Sequence, residues 1–192
     1  MLLRHILALS LCAVSATAAA DTFDINLNNE TAQFQYNLNT GRATTQGKSE
    51  YRFALLYTDS NSTMGEGGLM VTNDADKDNG ISVGVGIKAL VASVSRASSS
   101  KINASAVALG GQLRFSPPSA SRFGIVGEFQ FAPKVITFGD ADSYDQVGVR
   151  LEYEVMPQTM AYLGYRKIRF GIKNGPNAVL DDGSHIGVKL AF

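Results

Sequence analysis

Alternation of apolar and small or polar residues leaves this chain few ways to fold, and it is sharpest in the last nine residues, Ser184–Phe192. Counted back from the carboxylate, Phe192, Leu190, Val188 and Ile186 share one parity, and Ala191, Lys189, Gly187 and His185 the other. A strand sends successive side chains to opposite faces, so this stretch has one greasy face and one small or charged face. It ends on a bare aromatic. The ends of soluble domains usually fray into water. The closing strand of a barrel in the bacterial outer membrane instead sets such a ring at the membrane interface. Ile186, Val188, Leu190 and Phe192 are therefore expected to form the C-terminal signal read by the barrel-assembly machinery during insertion.

The other end reads as a secretory leader, residues 1–20. Arg4 and His5 precede an apolar run from Ile6 to Val14, and Ala18-Ala19-Ala20 offers an A-x-A cleavage site between Ala20 and Asp21. That run is too short to cross a bilayer as a helix, and no later stretch reaches about 20 apolar residues. Cys12 follows Leu9-Ser10-Leu11, but a lipoprotein box needs a small residue where Leu11 stands. Cleavage removes that single cysteine, so an exported domain of residues 21–192 must be held together by a core or a closed sheet rather than by disulfides. It also removes only one of 17 basic residues and none of 17 acidic ones. The near-neutral remainder argues against nucleic acid as a partner.

Period-two runs recur along the chain, and no segment carries a 3.6-residue stripe. Ten strands are expected: Thr22–Asn28, Thr31–Asn39, Glu50–Tyr57, Gly80–Ala89, Leu90–Ser95, Ser105–Phe115, Arg122–Phe131, Tyr144–Val155, Thr159–Phe170 and Ser184–Phe192. An even number returns both termini to one side, as in single-chain outer-membrane barrels. Inner turns are then expected at Asn39–Lys48, at a tight joint near Ala89–Leu90, at Ser116–Ser121 and at Met156–Gln158. The outer connections are a short one near Asn29, then Thr58–Asn79, Arg96–Asn103, Ala132–Ser143 and Gly171–Gly183. The fold class is all-β: a single antiparallel up-and-down transmembrane barrel of about ten strands.

Alternation by itself does not separate this from a lipocalin-like barrel with its apolar face inside. The second face does. Gly84, Gly86, Ala106, Ala108, Gly110, Gly148, Gly164 and Gly187 occupy strand centres on it. Glycine weakens a water-facing strand, whereas small residues suit the inside of a narrow barrel. Interleaved with them are Glu128, Arg150, Glu152, Arg166 and Lys189, of opposite sign on successive strands. They are expected to pair inside the lumen, because an enclosed charge is tolerable only when paired.

Four segments then carry a resemblance. Arg122–Pro133 (RFGIVGEFQFAP), Ser143–Pro157 (SYDQVGVRLEYEVMP), Ala161–Ile168 (AYLGYRKI) and Asp182–Phe192 (DGSHIGVKLAF) resemble the YfaZ family of predicted outer-membrane proteins. The shared features are a G-E-aromatic strand ending in Pro, an S-Y strand, a G-Y-R strand and a terminal Phe. The match covers the last hundred or so residues; earlier, only the strand pattern agrees. Asn61–Ala75 reads as longer than that family's usual loop. The resemblance implies a small porin-like barrel of the outer membrane and carries no catalytic residues to transfer.

Little chemistry competes with that reading. His185 is the one histidine after the leader, which excludes a multi-histidine metal site. Asp181, Asp182, Ser184 and His185 contain the members of a Ser/His/acid site, but proximity in one loop is poor evidence for convergence in space. Asp59, Asp74, Asp76 and Asp78, and separately Asp140, Asp142 and Asp145, make acidic outer loops. D-A-D-K-D-N-G lacks the closing glutamate of a calcium loop. Gly84-Val-Gly86 lacks the third glycine of a dinucleotide motif. No cofactor or catalytic residue is expected, and outer-membrane lipid is the expected partner. The oligomeric state stays open. The function expected is a narrow solute or ion pathway or a membrane scaffold. A lipid-modifying enzyme using Ser184 or His185, or a binding module using the 58–79 loop, is the alternative.

Overall fold

A computed structural model describes residues 20–44, 47–76, 78–95, 101–173 and 175–192. The leader, residues 1–19, lies outside these. The strands are β1 (Thr22–Leu27), β2 (Thr31–Thr44), β3 (Gly47–Thr58), β4 (Thr63–Asp76), β5 (Ile81–Val94), β6 (Ile102–Phe115), β7 (Phe123–Ala132), β8 (Thr137–Gly139), β9 (Ala141–Met156), β10 (Thr159–Ile172) and β11 (Ala178–Ala191). Each long strand pairs antiparallel with its neighbours, β1 closes on β11, and β5 pairs with β6, so ten strands form a sealed cylinder with no free edge. β8 is a three-residue strip beside the upper part of β6, beyond the point where β7 ends. Both termini lie at one rim, here the terminal rim; the opposite one is the far rim.

Ten is the expected number, but two of the expected strands are different. Thr63–Asp76, read as part of a long outer loop, is a full strand. Gly80–Ala89 and Leu90–Ser95, read as two strands around a tight joint, are the single strand β5. One omission and one false division cancel. The 58–79 loop therefore shrinks to a far-rim turn at 59–62 and a turn that includes 78–80 on the terminal rim. Asp59 is at the far rim while Asp74, Asp76 and Asp78 are at the terminal rim, so they form no common acidic loop. Likewise β10 and β11 extend to Ile172 and Ala178, which shortens the expected Gly171–Gly183 loop.

Both surprises share a physical cause. On β4, Gly65 and Gly67 stand at outward positions where the pattern requires apolar side chains. On β5, apolar residues change face: Val83, Val85, Ile87 and Val91 are exposed, while Leu90, Ala92 and Val94 are buried. A strand with apolar residues on both faces carries no alternation to follow.

The outward face is a hydrocarbon-facing belt. Ile186 is 64% exposed and Phe192 66%, and Val149, Leu151, Leu109, Phe129 and Val85 are equally outward. Rings gather at the terminal rim, with Phe123 and Tyr153 at 4.8 Å and Tyr36 and Phe192 at 6.4 Å between centroids. Asp21, just ahead of β1, is held there: its carboxylate accepts from Tyr36 Oη at 2.6 Å and from the Asn39 N–H at 2.9 Å.

Candidate functional site in the barrel lumen

The inward face is divided into two layers. In the terminal half and the middle it is polar and ionic. In the far half the side chains of Leu56, Met64, Leu90, Ile102, Tyr144, Ile168, Phe170 and Leu180, with a ring of alanines, pack into one apolar cluster, while Thr31, Gln33 and Asp181 keep the β1, β2 and β11 side polar. Tyr144, Ile168 and Phe170 are 0% exposed, and the two rings lie 5.0 Å apart. These residues come from β3, β4, β5, β6, β9, β10 and β11, so the plug draws on most of the circumference and faces the polar side chains of β1 and β2.

Beneath it, Glu152 is the point where the ionic layer converges. At 1% exposure it receives Arg114, Arg150 Nε at 2.8 Å and Lys189 Nζ at 3.3 Å. Arg114 on β6 reaches β9 across the intervening β7 because Gly124 stands beneath it; a Cβ there would sit 3.0 Å from the guanidinium. Gly187 similarly leaves room for the Tyr162 ring, and Gly164 for His185. The glycines are slots over which long side chains lie. Of the charges singled out from the sequence, Arg150, Glu152 and Lys189 are thus brought together. Glu128 faces Arg52 at 4.0 Å, while Arg166 pairs with Asp181 at 2.5 Å and not with the other four.

Several members were not read from the sequence. Lys88 donates to Glu66 at 2.7 Å and to Gln146 at 2.8 Å, and its ammonium stands 5.4 Å from the Tyr144 ring centroid. Tyr144 Oη also donates to Gln146, at 2.6 Å, so this cluster is the seam between the ionic and apolar layers. Arg52 pairs with Glu50 at 2.5 Å, and Tyr162 Oη donates to Asp24 at 2.5 Å. Parity would have placed Lys88 and Arg114 on the inner face. Glu66 belongs to the missed β4, and Asp181 to a loop that is in fact strand.

Space in the lumen is scarce. Two cavities in the polar layer measure about 40 and 30 Å³. At about 10–15 Å³ for one water, each holds only a few.

Other candidates do not assemble. Ser184 is exposed on the outer face of β11 and His185 is buried on the inner one, so the hydroxyl and imidazole diverge. His185 packs edge-on to Tyr162, with centroids 5.9 Å apart. Asp181 points inward to Arg166, while Asp182 points outward to Lys167 at 2.6 Å. Among the described residues no three His, Cys, Asp or Glu side chains gather as metal ligands.

The family model described as YfaZ precursor matches residues 2–192. A search of curated proteins returns no match. Among solved structures, the chain resembles the outer membrane channel DcaP of Acinetobacter baumannii (9% identity, TM-score 0.45), covering 88% of this chain and 54% of that one. It resembles the NanC porin at 12% identity and TM-score 0.44, covering 90% of this chain and 98% of that one. With the KdgM porin the values are 9% and 0.43, over 91% and 99%. The chain thus spans about half the length of DcaP and nearly all of the two small porins.

Proposed function

This chain belongs to the YfaZ family and is a porin-like β-barrel of the outer membrane; from that premise we propose that it is a channel held shut, an ion or small-solute pathway closed by an apolar plug. The observation that supports this reading is the apolar cluster around the fully buried Tyr144, Ile168 and Phe170 in the far half of the barrel interior. An apolar constriction is a barrier in its own right, because water and ions do not occupy it. Ten-stranded barrels also sit close to the eight-stranded size that side chains fill completely, far from the roughly 16 strands of an open porin. Purified mature protein in a planar bilayer should show no steady current at modest voltage. Sustained single-channel steps from the unmodified barrel overturn the closed reading.

The divergence of Ser184 and His185 disfavours the enzyme alternative. The four-residue 59–62 turn leaves the loop-based binding module without its loop.

The rest of the proposal concerns how the barrel gets into the membrane. Ile186, Val188, Leu190 and Phe192 form the outward face of the closing strand, and the Phe192 N–H donates to the Asp21 carbonyl oxygen at 3.0 Å. We take these four as the signal recognised by the assembly machinery, with lipid as the other partner. Deleting Phe192 should reduce the fraction of barrel recovered as the compact, heat-modifiable form in membranes. Equal recovery counts against a terminal signal.

A further inference from the structure

The buried side chains of β1 and β2 are Asp24, Asn26, Thr31, Gln33 and Asn37, and among the described residues neither strand buries an apolar one. With His185 and Asp181 of β11 they give the interior a polar side that runs from the terminal rim to the far rim, beside the apolar cluster and not through it. Three atoms on that side, Asn26 Oδ1, Thr31 Oγ1 and His185 Nδ1, are buried without a protein partner. Asn26 and His185 both line the cavity of about 40 Å³. Buried polar atoms that the protein leaves over are the ones water satisfies. This is the wet side of the barrel.

At the height of the plug an ion pair bars it. Asp181 stands opposite Ile168 of the apolar cluster. Its carboxylate accepts from Arg166 Nε at 2.7 Å and from Asn28 Nδ2 at 2.8 Å, and Arg166 Nη1 donates to Gln33. The guanidinium thereby ties β10 to β11 and β2 across the polar side. The flanks of this arginine are bare: it pairs in register with Gly148 on β9 and Gly183 on β11. Neither glycine has a positive φ, and a Cβ on either would come no nearer than 3.5 Å to another atom. Beyond Gly148, in the same row, stands Glu128 of β7. Two strand spacings, roughly 10 Å, separate the Arg166 and Glu128 backbones. An arginine and a glutamate reaching toward each other cover that span, and both line the same cavity. Glu128 is held only by the long pair to Arg52 at 4.0 Å. Arg166 thus has a second carboxylate in reach over a glycine, as Arg114 reaches Glu152 over Gly124.

Resting on the reading of the barrel as a closed channel, we propose that Arg166 is its gate, with two positions. On Asp181 it bars the polar side. Swung over Gly148 to Glu128, it opens a passage for an ion or small solute past Asn28, Gln33 and Asp181. The first position is the favoured one, because Asn28 and Gln33 add hydrogen bonds there. Opening then needs the rotation of one side chain between two partners, whereas opening the plug would displace a packed cluster.

Planar-bilayer recording of the mature barrel, with Tyr144 and Phe170 intact, tests this. Asp181→Asn removes the closed-state partner and should produce discrete current steps where the wild type is silent. Arg166→Gln removes the gate itself and should do the same; should either variant fail to fold, the other carries the test. Adding Gly148→Val fills the track between Arg166 and Glu128. It should silence Asp181→Asn again and leave the Arg166→Gln current in place. A pair that only holds the fold together would lower the unfolding temperature without any current. A folded Asp181→Asn or Arg166→Gln barrel that stays silent therefore overturns the proposal. So does a Gly148→Val that leaves the Asp181→Asn current unchanged, because the arginine then has no second position. Variants of Tyr144 and Phe170 read the premise separately: current there with silence here removes the gate and leaves the closed channel standing, and silence in both removes both.

Discussion

Replacing Phe170 and Tyr144 together by alanine should turn a silent barrel into a conducting one. Both rings are completely buried, 5.0 Å apart, and stand across the bore from strands β9 and β10. Removing them deletes most of the aromatic volume of the plug, and small residues already surround them: Ala92, Ala104, Ala106, Ala108, Ala132, Ala141 and Ala178. Alanines cannot move in to refill the space. The void then joins the polar cavities below, through the seam where the Tyr144 hydroxyl donates a hydrogen bond to Gln146. The substitution also costs stability, about 3–5 kcal/mol for each buried aromatic truncated to alanine. The two readouts are separable. Single Phe170→Ala should lower the unfolding temperature with little current, because Tyr144 still spans the bore. The double variant should add discrete current steps. Phe129→Ala, at a residue 60% exposed on the outer face, should do neither. A double variant that is folded but electrically silent would reduce the barrel to a scaffold.

The second large effect is expected at Glu152. Three cations on β6, β9 and β11 converge on this one carboxylate, which is 1% exposed. Glu152→Gln keeps the shape and removes the charge that neutralises Arg114, Arg150 and Lys189 in an enclosed space. Breaking a buried ion cluster from one side typically costs about 3–5 kcal/mol, because the remaining charges lose their partner without regaining water. Urea unfolding in lipid vesicles should register a loss of that order. The loss should depend little on salt, since pairs sheltered from solvent are poorly screened. Lys189→Met in the Glu152→Gln background should recover part of it, although Lys189→Met alone destabilises. That reversal is the signature of coupling through a shared partner. If the two losses simply add, Lys189 and Glu152 act independently and the converging cluster has no energetic meaning.

How far the molecule could be read in advance depended on where one face differed from the other. In the terminal half the outer face is oily and the inner face is small or ionic. There the strands β1, β7 and β9 were legible nearly to their ends and β11 from Ser184 onward, and Arg150, Glu152 and Lys189 could be assigned to the lumen by parity. The far half defeated the same reasoning. Leu90, Ala92 and Val94 on β5, and Ile168 and Phe170 on β10, are apolar residues on the inner face, so the contrast vanishes there. The apolar cluster inside the far half is also what hid the strand passing beside it. On β4 the contrast failed from the other side, because Gly65 and Gly67 stand where oily residues were expected.

The partners of the lumen charges were legible only in part, for a geometric reason. Neighbour-to-neighbour pairing is the natural expectation for an antiparallel sheet. In a cylinder this narrow, a long side chain reaches past its neighbour when that neighbour is glycine, as Arg114 does over Gly124.

The amino-acid order alone therefore determined an exported all-β chain with an oily belt, a closing strand ending in an aromatic ring, and a crowded inner face. Export was read from the leader, and the rest are properties of alternation, which a strand displays wherever its two faces differ. Tertiary structure alone decided that an apolar cluster gathers inside the far half of the barrel and which acid each cation meets. Each of those depends on side chains from strands distant in the chain arriving at one height in the cylinder, and register, which sets that height, is written in the pairing and not in any one strand.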